Sequence, residues 1–533
     1  MENKNSSALN DFMSIKEASL WASNLLGKNI TTSNISYLIQ YGRIKKNGDN
    51  GNTLVSQKDL LEYYNIINND RENEWKNKLG SDLNWALSFE QYKEAETTKH
   101  VHRLHPYKGK FIPQLVEYFL DSHIDLFKTE RYFNKSDIIL DPFAGSGTTL
   151  VQANELGQHC VGIDISAFNA LISNSKITKY DLADLKDNIN IITKSLSEFL
   201  KDVHYIEFEK ELLNLLNKFN GEFFPVPAYK YQVNNKEINE KEYGIKKERE
   251  FLTYYNGLVK KYNIQFSNEN RNSFFNKWYF PHIQDEINLV FNQIKKIENY
   301  HTKKLLSIIL SRTIRSCRAT KHADLATLFE PVTSTYYCSK HGKICKPLFS
   351  IVRWWKTYTK DTISRIMAFD KIRSNTLQIC VTGDSRTIDL AEVINNKKPK
   401  FAELIEKQKI AGIFSSPPYV GLIDYHEQHA YAYELFGFER KDDMEIGPMF
   451  KGQGKEAQQN YIQGIADVLN NCKRFLVEDY NIFLVANDKY NMYPIIANKA
   501  GMKIVNQFKR PVLNRTEKDK GAYSEIIFHF KKI

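Results

Sequence analysis

A short apolar run ending in a glycine turn is the feature of this sequence that leaves the fewest folds open. Asp137-Ile-Ile-Leu140 has the length and composition of a buried strand, and Asp141-Pro-Phe-Ala-Gly-Ser-Gly-Thr-Thr149 follows it directly. A helix of about one heptad and a second apolar run, Cys160-Val-Gly-Ile163, come next. Strand, tight turn, helix, strand is the opening unit of an α/β domain with a parallel sheet. The alternation breaks off near residue 178 and resumes at Gln378-Ile-Cys-Val-Thr382, Ala411-Gly-Ile-Phe414 and Asn481-Ile-Phe-Leu-Val485. Met502–Phe508 and Ser524–Phe530 alternate as a terminal hairpin. Residues 178–375 read instead as amphipathic helices rich in aromatics. The predicted division is therefore one α/β domain in two halves, 85–177 and 376–533, split by a helical insert at 178–375.

At 533 residues the chain has room for two to four domains, and 42% hydrophobic with 26% charged residues excludes a mostly disordered protein. No apolar run approaches the roughly 18 residues of a membrane span, and the first residues lack the apolar core of a secretion signal. Six cysteines are too few for a disulfide framework, so a cytoplasmic location is expected. A formal charge of +11 suits a polyanionic partner.

Residues 1–64 are predicted to hold a small separate unit. Ser14 can cap a helix with Ile15, Ala18, Ala22 and Leu25 on one face, and Gly27 ends it. Thr32-Ser33 opens a second helix with Ile35, Leu38 and Ile39 inward and Asn34, Tyr37 and Gln40 outward. A basic Gly/Asn-rich hairpin begins at Arg43, and a last helix carries Leu60 and Leu61. This order resembles the winged helix-turn-helix of the excisionase/MerR-like group, which implies DNA contact through Asn34, Tyr37, Gln40 and Arg43. A role in dimerisation or protein contact is the alternative. Residues 65–84, rich in Asn, Asp, Glu and Lys, read as a linker.

The glycine turn has a partner in the sequence. Gly145 and Gly147 let the backbone approach a ligand closely. The next strand ends in Asp164, where a carboxylate can accept both hydroxyls of a ribose. No lysine follows the glycines, and the position of a third glycine is Leu150, so neither a triphosphate nor a pyrophosphate is favoured. A ribose without phosphates points to S-adenosylmethionine.

Phe414-Ser-Ser-Pro-Pro-Tyr419 follows another predicted strand. Two prolines remove two backbone donors and leave carbonyl acceptors. The Ser416 oxygen and the Pro417 carbonyl can then accept both protons of one exocyclic amino group, directing its lone pair and stabilising developing positive charge. Pro418 stiffens the turn, and Tyr419 offers a face for stacking a planar base.

Together these motifs resemble the amino-group DNA methyltransferases, which make N4-methylcytosine or N6-methyladenine. The resemblance implies a Rossmann-like class I methyltransferase sheet, duplex DNA as partner and Ser416, Pro417, Pro418 and Tyr419 as the catalytic turn. His105-Pro-Tyr-Lys-Gly-Lys-Phe-Ile-Pro-Gln114 is similar to the segment that closes over the methionine end of the cofactor in such enzymes. Gly383-Asp-Ser-Arg386 is similar to their third cofactor motif, with Asp384 facing the adenine amino group. The implied cofactor contacts are Tyr107, Lys110, Asp141, Phe143, Gly145, Gly147, Thr148, Asp164 and Asp384. A serine in first position of the proline motif is the common form in N4-cytosine enzymes, so cytosine N4 is preferred, with adenine N6 as the alternative. An RNA methyltransferase or a cofactor-sensing DNA-binding regulator is a more distant reading. The expected setting is a restriction–modification system whose endonuclease is a separate chain.

In the family, an insert between the two halves carries target recognition. Arg312, Arg315 and Arg318 recur at helical spacing, and Arg353-Trp-Trp-Lys-Thr-Tyr358 mixes stacking and phosphate-contacting side chains. Alternatively, the tryptophans pack the insert's own core and the arginines form a solvated face. No metal is expected; Cys338, His341 and Cys345 are weak zinc candidates, with Cys317 or His322 needed for a fourth ligand.

Overall fold

The computed structural model describes residues 12–26, 30–48, 53–68, 71–202, 204–266, 272–321, 330–513 and 521–533. The expected helix end at Gly27, the wing residues 49–52 and His322 lie outside them. Seven strands form one mixed sheet: β1 (Ile138–Asp141), β2 (His159–Asp164), β3 (Gln378–Thr382), β4 (Ile410–Ser415), β5 (Leu476–Ala486), β6 (Met502–Pro511) and β7 (Ser524–Lys532). Their spatial order is β3-β2-β1-β4-β5-β7-β6. The first five are parallel, and β7 runs antiparallel between β5 and β6.

The central strands are apolar on both faces because both are covered. Ile139 and Cys160 enter one core, while Ile138, Leu140, Val161 and Ile163 enter the other. Register then lines up the strand ends. Leu140 pairs with both Val161 and Ile413, and Asp164 pairs with Thr382. Asp141, Asp164, Thr382 and Ser415 thus close four neighbouring strands at one edge of the sheet, on either side of the point where strand order reverses. That edge is where open α/β sheets hold ligands.

The segment 178–375 is mainly helical, with long helices at Leu182–Phe199, His204–Phe223, Glu240–Tyr262, Pro281–Lys295, Tyr300–Ser316 and Val352–Asp370. Its buried residues, among them Leu185, Ile287, Leu306 and Trp355, belong to the same core as Phe168 and Ile172 beside the sheet. The insert therefore packs directly on one sheet face. It also carries a small hairpin, Tyr336–Cys338 with Lys343–Cys345.

The N-terminal residues form a two-stranded ribbon (Phe12–Ser14 with Leu54–Ser56) and three helices, Ile15–Leu26, Thr32–Gln40 and Gln57–Asn68, around Ala18, Ala22, Ile35, Leu38, Val55 and Leu60. Ser14 and Glu17 cap the first helix reciprocally. The second is capped one residue earlier than expected, by Thr31 with Asn34. The stretch read as a linker is partly helical instead, over Arg71–Leu79, and Trp75 is buried with Leu83 and Leu513. Its charges, which read as solvated spacer, make the i,i+4 pairs Glu72–Lys76 and Glu74–Lys78 that support a helix.

Candidate active site

The glycine turn is shaped from both ends. Gly145 and Gly147 adopt φ of +50° and +74°, in the left-handed region that favours glycine. A Cβ on Gly145 would come within 3.0–3.1 Å of the Tyr107 ring, and one on Gly147 within 2.8 Å of the Ser173 hydroxyl. The Gly145 N–H donates to Asp164 Oδ2 at 2.8 Å, fastening the turn to the end of β2. Asp164 Oδ1 accepts from the Ser166 N–H at 2.8 Å and the Asn169 amide at 3.1 Å. Burial nevertheless pushes the Asp164 carboxyl up to about 7, outweighing these donors.

The turn is also tied to the proline segment. Ser415, the last residue of β4, donates to Asp141 Oδ1 at 2.5 Å, and the Phe143 N–H donates to the same oxygen at 3.2 Å. Burial raises the Asp141 carboxyl to about 6. The adjacent Ser416 lies instead on the open side. Together with Pro418 it lines a cleft whose walls include Phe143, Gly145, Thr148, Asp164 and Asp384. Residues more than 250 positions apart in the chain thus meet around one space.

Tyr107 and Lys110 form part of the same wall. The Lys110 ammonium donates to the His102 carbonyl at 2.7 Å, and burial lowers it to about 8. Asp384 lines the cleft but is held by Arg386, with N–O distances of 2.6–3.0 Å. Its carboxylate is positioned in advance and keeps only part of its accepting capacity. Asp141, Gly147, Pro417 and Tyr419 do not line the cleft. Asp141 and Gly147 shape the turn from behind. The Tyr419 hydroxyl donates to Glu525 Oε1 at 2.7 Å, and Glu525 pairs with the buried Arg510 at 3.2 Å. The Ser416 hydroxyl is within hydrogen-bonding reach of Tyr419.

Several wall residues carry no sequence signal. Tyr425, Met444, Glu445 and Ile446 arrive from the chain after the proline turn, and Asn169 from the helix that follows β2, Ala167–Ile177. Glu445 is fixed by the buried His426, whose backbone N–H donates to it at 3.0 Å.

The insert's arginines divide, correcting their joint reading as DNA contacts. Arg312 is buried, pairs with Asp361 at 2.7 Å and lies 4.0 Å over the Tyr358 ring. Arg318 is buried beside Tyr431 and donates to the Arg315 carbonyl at 3.1 Å. Arg312 lies on a buried face of the helix Tyr300–Ser316, where a guanidinium needs an internal partner, and Arg318 lies just past that helix's end. Arg315 is half-buried and Arg353 exposed. Trp355 is fully buried and donates to Thr193 at 2.9 Å, so the tryptophan pair packs the core, as the alternative had it. Asn34, Tyr37, Gln40 and Arg43 are exposed, although the Asn34 amide oxygen is engaged in the helix cap.

The cleft fits S-adenosylmethionine by its donor set: a carboxylate for ribose hydroxyls, the Phe143, Tyr107 and Tyr425 rings for apolar parts, and the carboxylates of Asp164, Asp384 and Glu445 around a cation. A glycine cradle that a Cβ would fill leaves room for close approach.

A family model described as DNA methylase matches residues 5–175. The chain is 49% identical over 521 residues to the type II methyltransferase M.MjaII of Methanocaldococcus jannaschii, covering 97% of this chain and 96% of that protein. It is 27% identical over 147 residues to the type II methyltransferase M.MvaI of Kocuria varians, 28% of this chain and 31% of that one. No solved structure matches. Similarity to a type II methyltransferase along nearly its whole length, with the glycine turn and the proline turn facing one cleft, means that the chain belongs to the N6/N4 family of DNA methylases.

Proposed function

We propose that this DNA methylase transfers a methyl group to cytosine N4 at a specific duplex sequence, as the modification enzyme of a restriction–modification system. The observation that carries the reading is the shared cleft of the 141–149 turn and Ser416–Pro418. S-adenosylmethionine, when bound, supplies an electrophilic methyl on a sulfonium. The protein's own part is positioning and electrostatics. Asp164 accepts the ribose hydroxyls, and Asp384, steadied by Arg386, accepts from the adenine amino group. Tyr107 and Lys110 close the methionine end.

On the other side, the Ser416 oxygen and the Pro417 carbonyl accept the two amino protons of the target base. With the Tyr419 hydroxyl committed to Glu525, the Ser416 proton is best spent on Tyr419, which leaves the Ser416 lone pairs toward the cleft. The base has to leave the duplex first, since its amino nitrogen is paired inside the stack. We read the sheet, with order β3-β2-β1-β4-β5-β7-β6, as Rossmann-like and class I, and residues 1–64 as a winged helix-turn-helix that contacts DNA. The insert is read as target recognition, with Arg315 and Arg353 left to meet phosphates. The cognate endonuclease would be a separate chain, and the enzyme cytoplasmic.

The deciding experiment is nucleoside mass spectrometry with single-molecule sequencing of DNA from expressing cells. N4-methylcytosine in one sequence context is the expected result. N6-methyladenine would replace the base assignment, and unmodified DNA with methylated RNA would overturn the reading.

Two further outcomes follow from the site and the N-terminal unit. Ribose hydroxyls donate to an ionised Asp164, whose carboxyl in the free protein sits at about 7. Binding favours the deprotonated form, so cofactor affinity should be level above neutral pH and fall by up to roughly tenfold per pH unit below it. Calorimetric titration across that range, with Asp164→Asn as the pH-insensitive control, checks the sign. Removing residues 1–64 should weaken DNA binding at least about tenfold, by loss of its phosphate and groove contacts, with cofactor affinity unchanged. Gel-shift and cofactor titrations on the truncated chain would separate the two.

A further inference from the structure

We propose that Cys338, His341 and Cys345 form a binding site for zinc, a soft divalent cation, which braces the hairpin of the insert. The three residues sit on one short supersecondary unit. Tyr336–Cys338 pairs antiparallel with Lys343–Cys345, and the connecting loop turns at Gly342, φ +60°, whose N–H donates to the Cys338 carbonyl at 2.7 Å. That fold brings the two sulfurs and a ring nitrogen of His341 within 4.8 Å of one another, with His341 Nδ1 and Cys345 Sγ 3.3 Å apart. Two thiolates and an imidazole are the donors zinc prefers, and water can take the fourth tetrahedral position.

Charge favours the same cation. Two thiolates neutralise a dication, so the loaded site adds no net charge at a place where Cys338 is only 5% exposed. The backbone N–H groups of His341 and Lys340 face the Cys338 sulfur, and such donors steady metal-bound thiolates. Among the described residues one other group has comparable geometry, His100, His102 and Glu155. There the carboxylate is already paired with Lys99 at 2.6 Å, so a cation would have to displace an existing one.

Two short strands are marginal alone, and this pair, packed on the core through Ile344, holds other elements in place. Asn220 exchanges hydrogen bonds of 2.9 and 3.0 Å with the Ile344 backbone. The Ser339 carbonyl, in the loop, accepts from Lys230. On the same helix as Lys230, Ala228–Asn234, the Asn234 amide donates to the carbonyls of Tyr41 (3.0 Å) and Gly42 (2.7 Å) in the N-terminal unit. A cation in the loop would therefore steady the seat of that unit, and none of its ligands lines the cofactor cleft.

The test uses the full chain, purified under reducing conditions and exchanged into zinc, then freed of excess. Elemental analysis should find about one zinc per chain, and substitution with cobalt should give thiolate-to-metal charge-transfer absorption in the near ultraviolet. Cys338→Ser and Cys345→Ser should lose both signals, and His341→Ala should shift the cobalt ligand-field bands. Cofactor titration reports whether each variant is folded, and chelator-stripped wild type, reloaded with zinc, should regain the full metal content without refolding. Substoichiometric zinc in the folded wild type, cobalt spectra unchanged in the cysteine variants, or an intact mass lower by two hydrogens from a Cys338–Cys345 disulfide that blocks loading would each overturn the proposal.

Discussion

Alanine at Ser416 is expected to lower kcat by about 10²- to 10³-fold while leaving cofactor affinity within about twofold, on the scale of a lost preorganised polar partner at a developing charge. The Pro417 carbonyl would still accept one amino proton, so activity should fall without vanishing. The loss belongs in kcat, because the second acceptor matters most when positive charge grows on the nitrogen. The neighbouring Ser415→Ala makes the informative contrast. Its hydroxyl donates to the buried Asp141 and does not line the cleft. That variant should lose thermal stability, about 1–3 kcal/mol for a buried carboxyl deprived of a donor, and bind cofactor less well. Single-turnover methylation of a duplex carrying the target, with cofactor affinity and melting temperature measured alongside, distinguishes the pair. Ser416→Ala at wild-type rate would remove the amino-acceptor role.

Alanine at Asp164 should act on the other substrate. The side chain closes β2, receives the Gly145 N–H and faces the cleft, so its removal takes away both the acceptor for ribose and the latch of the glycine turn. Cofactor affinity should drop at least about 100-fold, the sum of a charge-assisted hydrogen-bond pair worth roughly 1.5–3 kcal/mol and a loosened loop. Asp164→Asn should lose less, since the amide oxygen can still accept from Gly145. Titration of both variants with S-adenosylmethionine orders them, and equal losses would mean that the ribose contact matters more than the loop latch, which only the asparagine variant keeps.

The cleft and the sheet were legible in the sequence to different degrees. Both motifs were readable because each is set by local backbone chemistry. A glycine with positive φ between a strand and a helix, an acid closing the next strand and two adjacent prolines act within a few residues. The strands were readable for the same reason, as apolar runs covered on both faces. Reading charge alone failed where packing overrode it. Helical spacing placed Arg312 and Arg318 on one stripe, but the helix ends at Ser316, and it is the neighbouring helix, with Asp361 and Tyr358, that draws Arg312 inward. Polar composition made 65–84 look like a spacer, although Trp75 finds Leu513 more than four hundred residues away.

Local rules thus specified which groups can hold a cofactor and grip an amino group, and that they sit at strand ends. Long-range contact supplied the rest. The pairing of β1 with β2 and β4 puts the glycine and proline turns beside one cleft, and Glu525 on the terminal hairpin orients Tyr419. Such partners share no spacing in the chain, because a hydrogen bond or a buried pair is defined by distance in space, and a parallel sheet joins segments separated by an insert of about two hundred residues.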